Sequence, residues 1–258
     1  MDTNTGNSGD SPDVDFGFRN VDAREKPGLV RDLFDRVSDR YDLMNDLMSG
    51  GIHRLWKRQM IQWLNPAPGT TLLDVAGGTG DISRRFLDHI GGPENGRAII
   101  CDLSEGMVVA GRDKAWDRGA LQGIDWMVGD AEKLPLADSS VDAYTIAFGI
   151  RNVTHKEEAL AEAARVLKPG GRFMCLEFSP TPVPVLDKLY DLYSFAVIPA
   201  LGEAVANDRD AYRYLVESIR KFPEPAEFGD MLSAAGLGGV RWRRLTGGIA
   251  ALHSGWRT

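Results

Sequence analysis

Leu72-Leu73-Asp74-Val75-Ala76-Gly77-Gly78-Thr79-Gly80-Asp81-Ile82 decides the fold of this 258-residue chain. A short apolar run closes on an acidic residue and a cluster of glycines, and a helix-like stretch follows. That order reads as a strand over Leu72–Ala76, a tight turn, and a helix over about Thr79–His89. Glycine lets the backbone turn sharply and approach a ligand where a Cβ would obstruct it. A helix that begins there offers free N–H groups and a partial positive charge to a bound group.

The same rhythm extends downstream. Ala98–Asp102, Ile124–Val128, Ala143–Phe148 and Arg172–Phe178 read as further strands. Ser104 is placed to N-cap one intervening helix. Thr154-His155-Lys156-Glu157 has the form of a capping box for another, which stops before Lys168-Pro169-Gly170-Gly171. Mostly apolar strands alternating with helices predict an α/β fold with a parallel sheet covered on both faces. Gly239–Thr246 and Ile249–Trp256, joined at Gly247-Gly248, predict a closing hairpin and with it one antiparallel strand. Upstream, Leu29, Leu33, Phe34 and Val37 recur at helical spacing within residues 27–48, and His53–Leu64 forms a second helical stretch. Together they predict a helical cover over residues 21–68. Residues 183–221 predict a helical insertion.

The balance of the chain is that of an ordinary globular protein, with 43% hydrophobic and 26% charged residues. Residues 21–258 are expected to form one domain behind a disordered, polar and acidic tail of residues 1–20. That tail lacks the apolar core of a signal peptide, and no apolar run approaches the roughly 20 residues of a membrane span. A cytoplasmic protein is expected. A net charge of −7 argues against nucleic acid as a partner, although Arg241, Arg243 and Arg244 make a local basic patch. Cys101 and Cys175 lie inside apolar runs and read as buried strand thiols, so neither a disulfide nor a metal site is expected.

The glycine turn alone would also suit a dinucleotide, but the G-x-G-x-x-G spacing fails at Ser83 and Asp81 is awkward beside a pyrophosphate. Asp102 closes the second strand, where a carboxylate accepts from a ribose diol. Asp130 closes the third, in reach of an adenine amino group, with the Ala131 backbone beside the ring edge. Either aspartate alone is equally a helix cap or a solvated charge. Acidic residues ending three successive strands converge on the carboxyl edge of the sheet, where open α/β folds bind ligands.

The set of Asp74 to Gly80, Asp102 and Asp130 resembles the class I S-adenosylmethionine methyltransferases, which share a seven-stranded sheet with one antiparallel strand. Tyr41 to Lys57 (YDLMNDLMSGGIHRLWK), Phe148 to Val153 (FGIRNV), and Arg165 to Phe173 continuing through Glu177-Phe178-Ser179-Pro180 are similar to signatures of the UbiE/MenG family. Those enzymes are the C-methyltransferases of ubiquinone and menaquinone biosynthesis. The resemblance, which runs from about Asp15 to Arg257, implies S-adenosylmethionine as methyl donor and a polyprenylated quinol as acceptor. It implies cofactor contacts at Asp74, Gly78, Thr79, Gly80, Asp102, Asp130, Ala131 and Ala147. Ala147 stands where many relatives carry a small hydroxyl residue, which leaves a backbone contact there.

Methylating a ring carbon requires stabilising a ring oxyanion, aligning carbon, methyl and sulfur, and removing a ring proton. Arg151 is the expected oxyanion partner and Asn152 an orienter, with a structural salt bridge as the alternative for Arg151. Arg151 stays protonated and is therefore a poor proton acceptor, so a water or another group would have to remove the ring proton. Tyr41 is placed to donate to or stack on the ring. His53 has a suitable unperturbed pKa near 6.5, with a cap or core role as its alternative. In the insertion, Val185, Leu186, Leu189, Tyr190, Tyr193 and Val197 share one helical face. That face either packs on the sheet or lines an entrance for a prenyl tail and makes weak peripheral contact with the inner membrane face. A quinone-biosynthesis complex and a homo-oligomer are further expected partners. Rival readings are methylation of another small phenolic or lipid-like acceptor, a nicotinamide oxidoreductase, and a non-catalytic protein that binds S-adenosylmethionine.

Overall fold

The computed structural model describes residues 12–38, 45–46, 49–119, 122–180 and 209–258. Seven strands make one sheet: β3 (Thr71–Val75), β4 (Arg97–Asp102), β5 (Ile124–Val128), β6 (Val141–Ala147), β7 (Leu167–Phe178), β8 (Leu237–Leu245) and β9 (Ala250–Arg257). Their order is β5-β4-β3-β6-β7-β9-β8. Only β9 runs antiparallel to its neighbours, so the closing hairpin supplies the single reversed strand. A 3₁₀ turn over Thr246–Gly248 joins β8 to β9.

Side chains alternate across the strands and build a core on each face. Leu72, Met174, Leu176 and Phe178 face one cluster with Trp56 and Phe86. Leu73, Val75, Tyr144 and Phe173 face the other with Leu160 and Phe228. The helices that cover these faces are α1 (Lys26–Val37), α2 (His53–Leu64), α3 (Asp81–His89), α4 (Glu105–Asp117), α5 (Lys156–Val166), α6 (Arg209–Lys221) and α7 (Pro225–Ala234). Cys101 and Cys175 are free and fully buried, and burial pushes the Cys101 thiol up to about 12.

Four expectations change. The first is residues 13–20, expected within a disordered tail. They enter an antiparallel hairpin, β1 (Asp13–Phe16) with β2 (Arg19–Asp22). The hairpin holds because Phe16 is buried and stacks on Tyr214 of α6, ring centroids 4.2 Å apart. Second, the first cover helix ends at Val37. Third, the expected capping box does not form, and α5 starts at Lys156 with no side-chain cap of its own. Glu132 does the work from another loop, accepting from the Thr154 and His155 N–H groups at 2.9 Å each. Fourth, α7 was not anticipated. The apolar face of Val185 to Val197 lies outside the described residues, as does Tyr41; among the described residues no helix is long and apolar enough to cross a membrane.

Phe16→Ala should lower unfolding free energy by about 3 kcal/mol, the usual cost of emptying a buried aromatic site. Urea denaturation reads this directly, and a change below about 1 kcal/mol would mean that the hairpin does not pack as described.

Candidate active site

A cleft with about 720 Å³ of empty space opens at the carboxyl edge of the sheet. Its floor is made by Val75-Ala76 after β3, Asp102-Leu103 after β4, Gly129 to Ala131 after β5, and Phe148-Gly149 after β6. The strand order reverses here, since β4 lies on one side of β3 and β6 on the other. Helix α1 roofs the cleft with Pro27, Val30, Arg31 and Phe34. The roof is latched by Asp35, whose carboxylate accepts from the Ser104 hydroxyl and from the Gly106 N–H. Ser104 in turn accepts from Met107 N at 3.0 Å, which is the expected N-cap of α4. The helical cover was expected from the sequence, whereas its seat over the cleft and the Asp35 latch were not.

Asp102 lines the cleft and organises it. One carboxylate oxygen accepts from Gly78 N at 2.9 Å, the other from Ser104 N at 3.0 Å. Burial raises its pKa to about 6 against the pull of those two donors. Each oxygen keeps a lone pair for a ligand hydroxyl. Asp130 also lines the cleft, with Oδ1 accepting from Glu132 N at 2.9 Å, and Ala131 lies beside it.

Asp74 is elsewhere. Its carboxylate is buried beneath the turn, accepting from Ser83 Oγ at 2.9 Å and Thr145 Oγ1 at 2.8 Å, and burial raises its pKa to about 6. It supports the turn and does not line the cleft. Gly78, Thr79, Gly80 and Ala147 do not line it either. Gly80 is required by packing: its φ is +75°, and a Cβ there would sit 2.8 Å from Ile100 Cδ1. Ala76 (φ +49°) and Phe148 (φ +60°) take the left-handed conformation without being glycine, at a cost on the order of 1–2 kcal/mol each. Both line the cleft, where such strain is commonly concentrated. Asp81, awkward beside a pyrophosphate, is ringed by cations. Arg84 lies at 2.8 Å, Arg85 at 3.0 Å and Lys57 of α2 at 3.2 Å. Burial pushes its pKa up, but Lys57 and Arg85 outweigh that and bring it down to about 2.

Arg151 and Asn152, adjacent in sequence, part company. Arg151 turns away from the cleft into a buried ion pair with Glu177 at 2.7 Å, and the same Nη1 donates to the Phe148 carbonyl at 2.7 Å. Its charge is therefore spent on the fold, which is the salt-bridge alternative. Asn152 lines the cleft, and its Oδ1 accepts from Tyr214 O–H at 3.1 Å. His53 is buried, with Nδ1 2.9 Å from Ser49 Oγ, and does not line the cleft. Burial, with Lys57 nearby, lowers its pKa to about 4, so it is neutral at pH 7. Glu132, His155 and Glu158 bring three possible metal-ligand atoms within 4.8 Å, but both Glu132 oxygens are engaged by the start of α5 and by the His155 ring.

The model of the ubiE/COQ5 methyltransferase family matches residues 19–257. The ubiquinone/menaquinone biosynthesis C-methyltransferase UbiE of Paracoccus denitrificans is 59% identical over 242 residues, covering 94% of this chain and 96% of its own. The protein of the same name from Brucella suis is 54% identical over 244 residues, covering 94% and 90%. Among solved structures, a SAM-dependent methyltransferase from Aquifex aeolicus aligns at a TM-score of 0.56 with 19% identity, covering 83% of this chain and 97% of that one. The [4+2]-cyclase SpnF aligns at 0.59 with 17% identity, covering 88% and 94%. At those identities the structures speak for the fold alone.

Glu177→Gln should cost about 3–5 kcal/mol of stability by leaving the Arg151 guanidinium buried and uncompensated. Pairing Arg151→Met with Glu177→Leu should recover part of that loss in urea unfolding. A double variant no better than the single would show that the pair is not the origin of the effect.

Proposed function

We propose a function for a chain that belongs to the ubiE/COQ5 methyltransferase family: it transfers the methyl group of S-adenosylmethionine to a ring carbon of a polyprenylated benzoquinol or naphthoquinol. The observation that carries this reading is the cleft, which pairs acceptors on one wall with an apolar roof and opposite wall. Asp102 and Asp130 supply the acceptors, while Val30, Phe34 and Phe148 supply the apolar surface. That combination suits an adenosine, a flat ring system carrying a diol. When bound there, S-adenosylmethionine supplies an electrophilic methyl group on a sulfonium.

The chain's own residues divide the remaining tasks. Asp102 takes the ribose hydroxyls, Asp130 the adenine amino group, and the Ala131 backbone the ring edge. The Gly78–Gly80 turn, held by Asp102, keeps the backbone low enough for the donor's methionine end. Asn152 is the group we assign to the developing phenolate. Tyr214 occupies its Oδ1, so the Nδ2 protons are free to donate toward negative charge. Arg151 acts as a positioning residue by fixing the Phe148 carbonyl and the loop that carries Asn152. A polyprenylated acceptor resides in a bilayer. We therefore place the reaction at the cytoplasmic face of the inner membrane, by weak peripheral contact or within a quinone-biosynthesis complex.

The experiment is methyl incorporation from labelled S-adenosylmethionine into a demethyl prenylquinol, with product identified by mass spectrometry. Asn152→Ala should reduce kcat about tenfold or more with cofactor affinity kept. Transfer to another phenolic acceptor in preference to the quinol would favour the rival substrate class, and stabilisation by NAD alone would remove the methyltransferase reading.

A pH dependence follows from Asp102. Its folded pKa of about 6 lies above the ordinary aspartate value of 3.8. The stability it contributes is therefore complete below pH 3.8 and is lost as pH rises through about 6. Cofactor affinity runs the other way, because hydroxyl donors need the ionised carboxylate. Affinity should fall as pH drops through about 6 in equilibrium titrations, and Asp102→Asn should weaken binding and flatten that profile. An unchanged profile in Asp102→Asn would take the diol contact away from this residue.

A further inference from the structure

Behind the roof of the cleft lies a second, smaller recess, lined by four cations, Lys26, Arg151, Lys156 and Lys221, and by one carboxylate, Asp15. It forms where the β1–β2 hairpin, the first turn of α1, the start of α5 and the face of α6 meet. Lys26 is 3% exposed, yet among the described residues no carboxylate pairs with it. Its ammonium donates at 3.3 Å to the Val153 carbonyl, and Lys156 reaches that same oxygen at 3.5 Å. Two ammonium groups thus share one neutral acceptor. Burial lowers both lysines, Lys26 to about 8, and the Lys156 charge lowers Lys26 further.

The acids nearby are already engaged. Asp15 pairs with Lys221 at 3.3 Å, Glu177 with Arg151, and Glu132 with the start of α5 and the His155 ring. The hydroxyls are committed too: Tyr214 donates to Asn152 and Ser218 donates to the Leu215 carbonyl. A third observation is independent of the lysines. Arg151 Nε is buried with no hydrogen-bond partner among the described residues, although almost every buried donor in a folded protein finds one. Lys26, Lys156 and Arg151 all line the same recess.

We propose that this recess is a binding site for a phosphate-type oxyanion, held by Lys26, Lys156 and Arg151 Nε. A tetrahedral dianion offers several acceptor oxygens to donors that arrive from different elements. Bound there, it joins α1 to α5 and to the Arg151 loop. Lys26 directly precedes Pro27 of the cleft roof and Val153 belongs to the cleft rim, so occupancy would stiffen the roof from behind. That last consequence rests on the function proposed above, whereas the binding itself does not.

The test is isothermal titration of the purified full chain with inorganic phosphate, without methyl donor, against sodium chloride at matched ionic strength. Saturable one-to-one binding is expected, weakened at least tenfold in Lys26→Met and in Lys156→Gln. Lys156 is only partly buried, so its variant keeps the test valid if Lys26→Met fails to fold. Phosphate binding should persist in excess S-adenosylhomocysteine, the demethylated product. Absence of saturable heat, unchanged affinity in folded variants, or competition with S-adenosylhomocysteine would each overturn the site. If S-adenosylhomocysteine does not bind while phosphate does, the proposed function fails and the oxyanion site stands.

Discussion

The Asp102 carboxylate is the constraint on which the cleft depends. It closes β4, and its two oxygens hold the N–H of Gly78 in the turn after β3 and that of Ser104 at the head of α4. Ser104 passes the connection to Asp35 of the roof. One side chain therefore ties floor, wall and roof into a single unit, at the edge of the sheet where strand order reverses. Burial raises Asp102 toward neutrality, and the Asp35 charge adds to that, against the pull of its backbone donors. A site built this way keeps a carboxylate that still has use for a further donor.

The cover and the sheet are locked from the other side by α2. Trp56 is buried among Phe148 and Phe178, and its Nε1 donates to Thr246 Oγ1 at 2.8 Å. Lys57 reaches Asp81 at the start of α3. The helix that an isolated strand–turn–helix unit would not need is thus joined both to the floor residue Phe148 and to the helix that follows the glycine turn. The same arrangement explains the cations around Asp81: a partly buried acid near a helix N-terminus is stabilised by charges from two helices.

Much of this was legible in the sequence because it is periodic and local. The parallel strands, the single reversed strand, the His53–Leu64 helix and the Ser104 cap follow from alternation, spacing and short-range hydrogen bonding. Asp102 and Asp130 were legible as cleft residues because strand ends place them. The place of Asp74 beneath the turn was not legible, because a carboxylate that holds a turn from below looks, in sequence, like one that faces a ligand, and its partners Ser83 and Thr145 lie 9 and 71 residues away. The Arg151 ion pair was hidden for the same reason, since Glu177 comes from the next strand. The β1–β2 hairpin was missed because its support is remote: Phe18 N donates to Glu217, 199 residues away. The capping-box motif at Thr154 failed against a stronger competitor, a Glu132 carboxylate that serves two backbone donors at once.

The closing hairpin leaves β8 at the outer edge of the sheet, with Arg241, Arg243 and Arg244 along it. An open edge is a template on which another chain can add a strand, and repeated addition is how sheets aggregate. Here an incoming strand would have to settle beside a row of guanidinium groups. Arg243 lies over the Trp63 ring at 4.3 Å, and Arg172 lies over Trp63 and Trp256. The basic patch of an otherwise acidic protein thus lies along the edge at which a further strand would have to add.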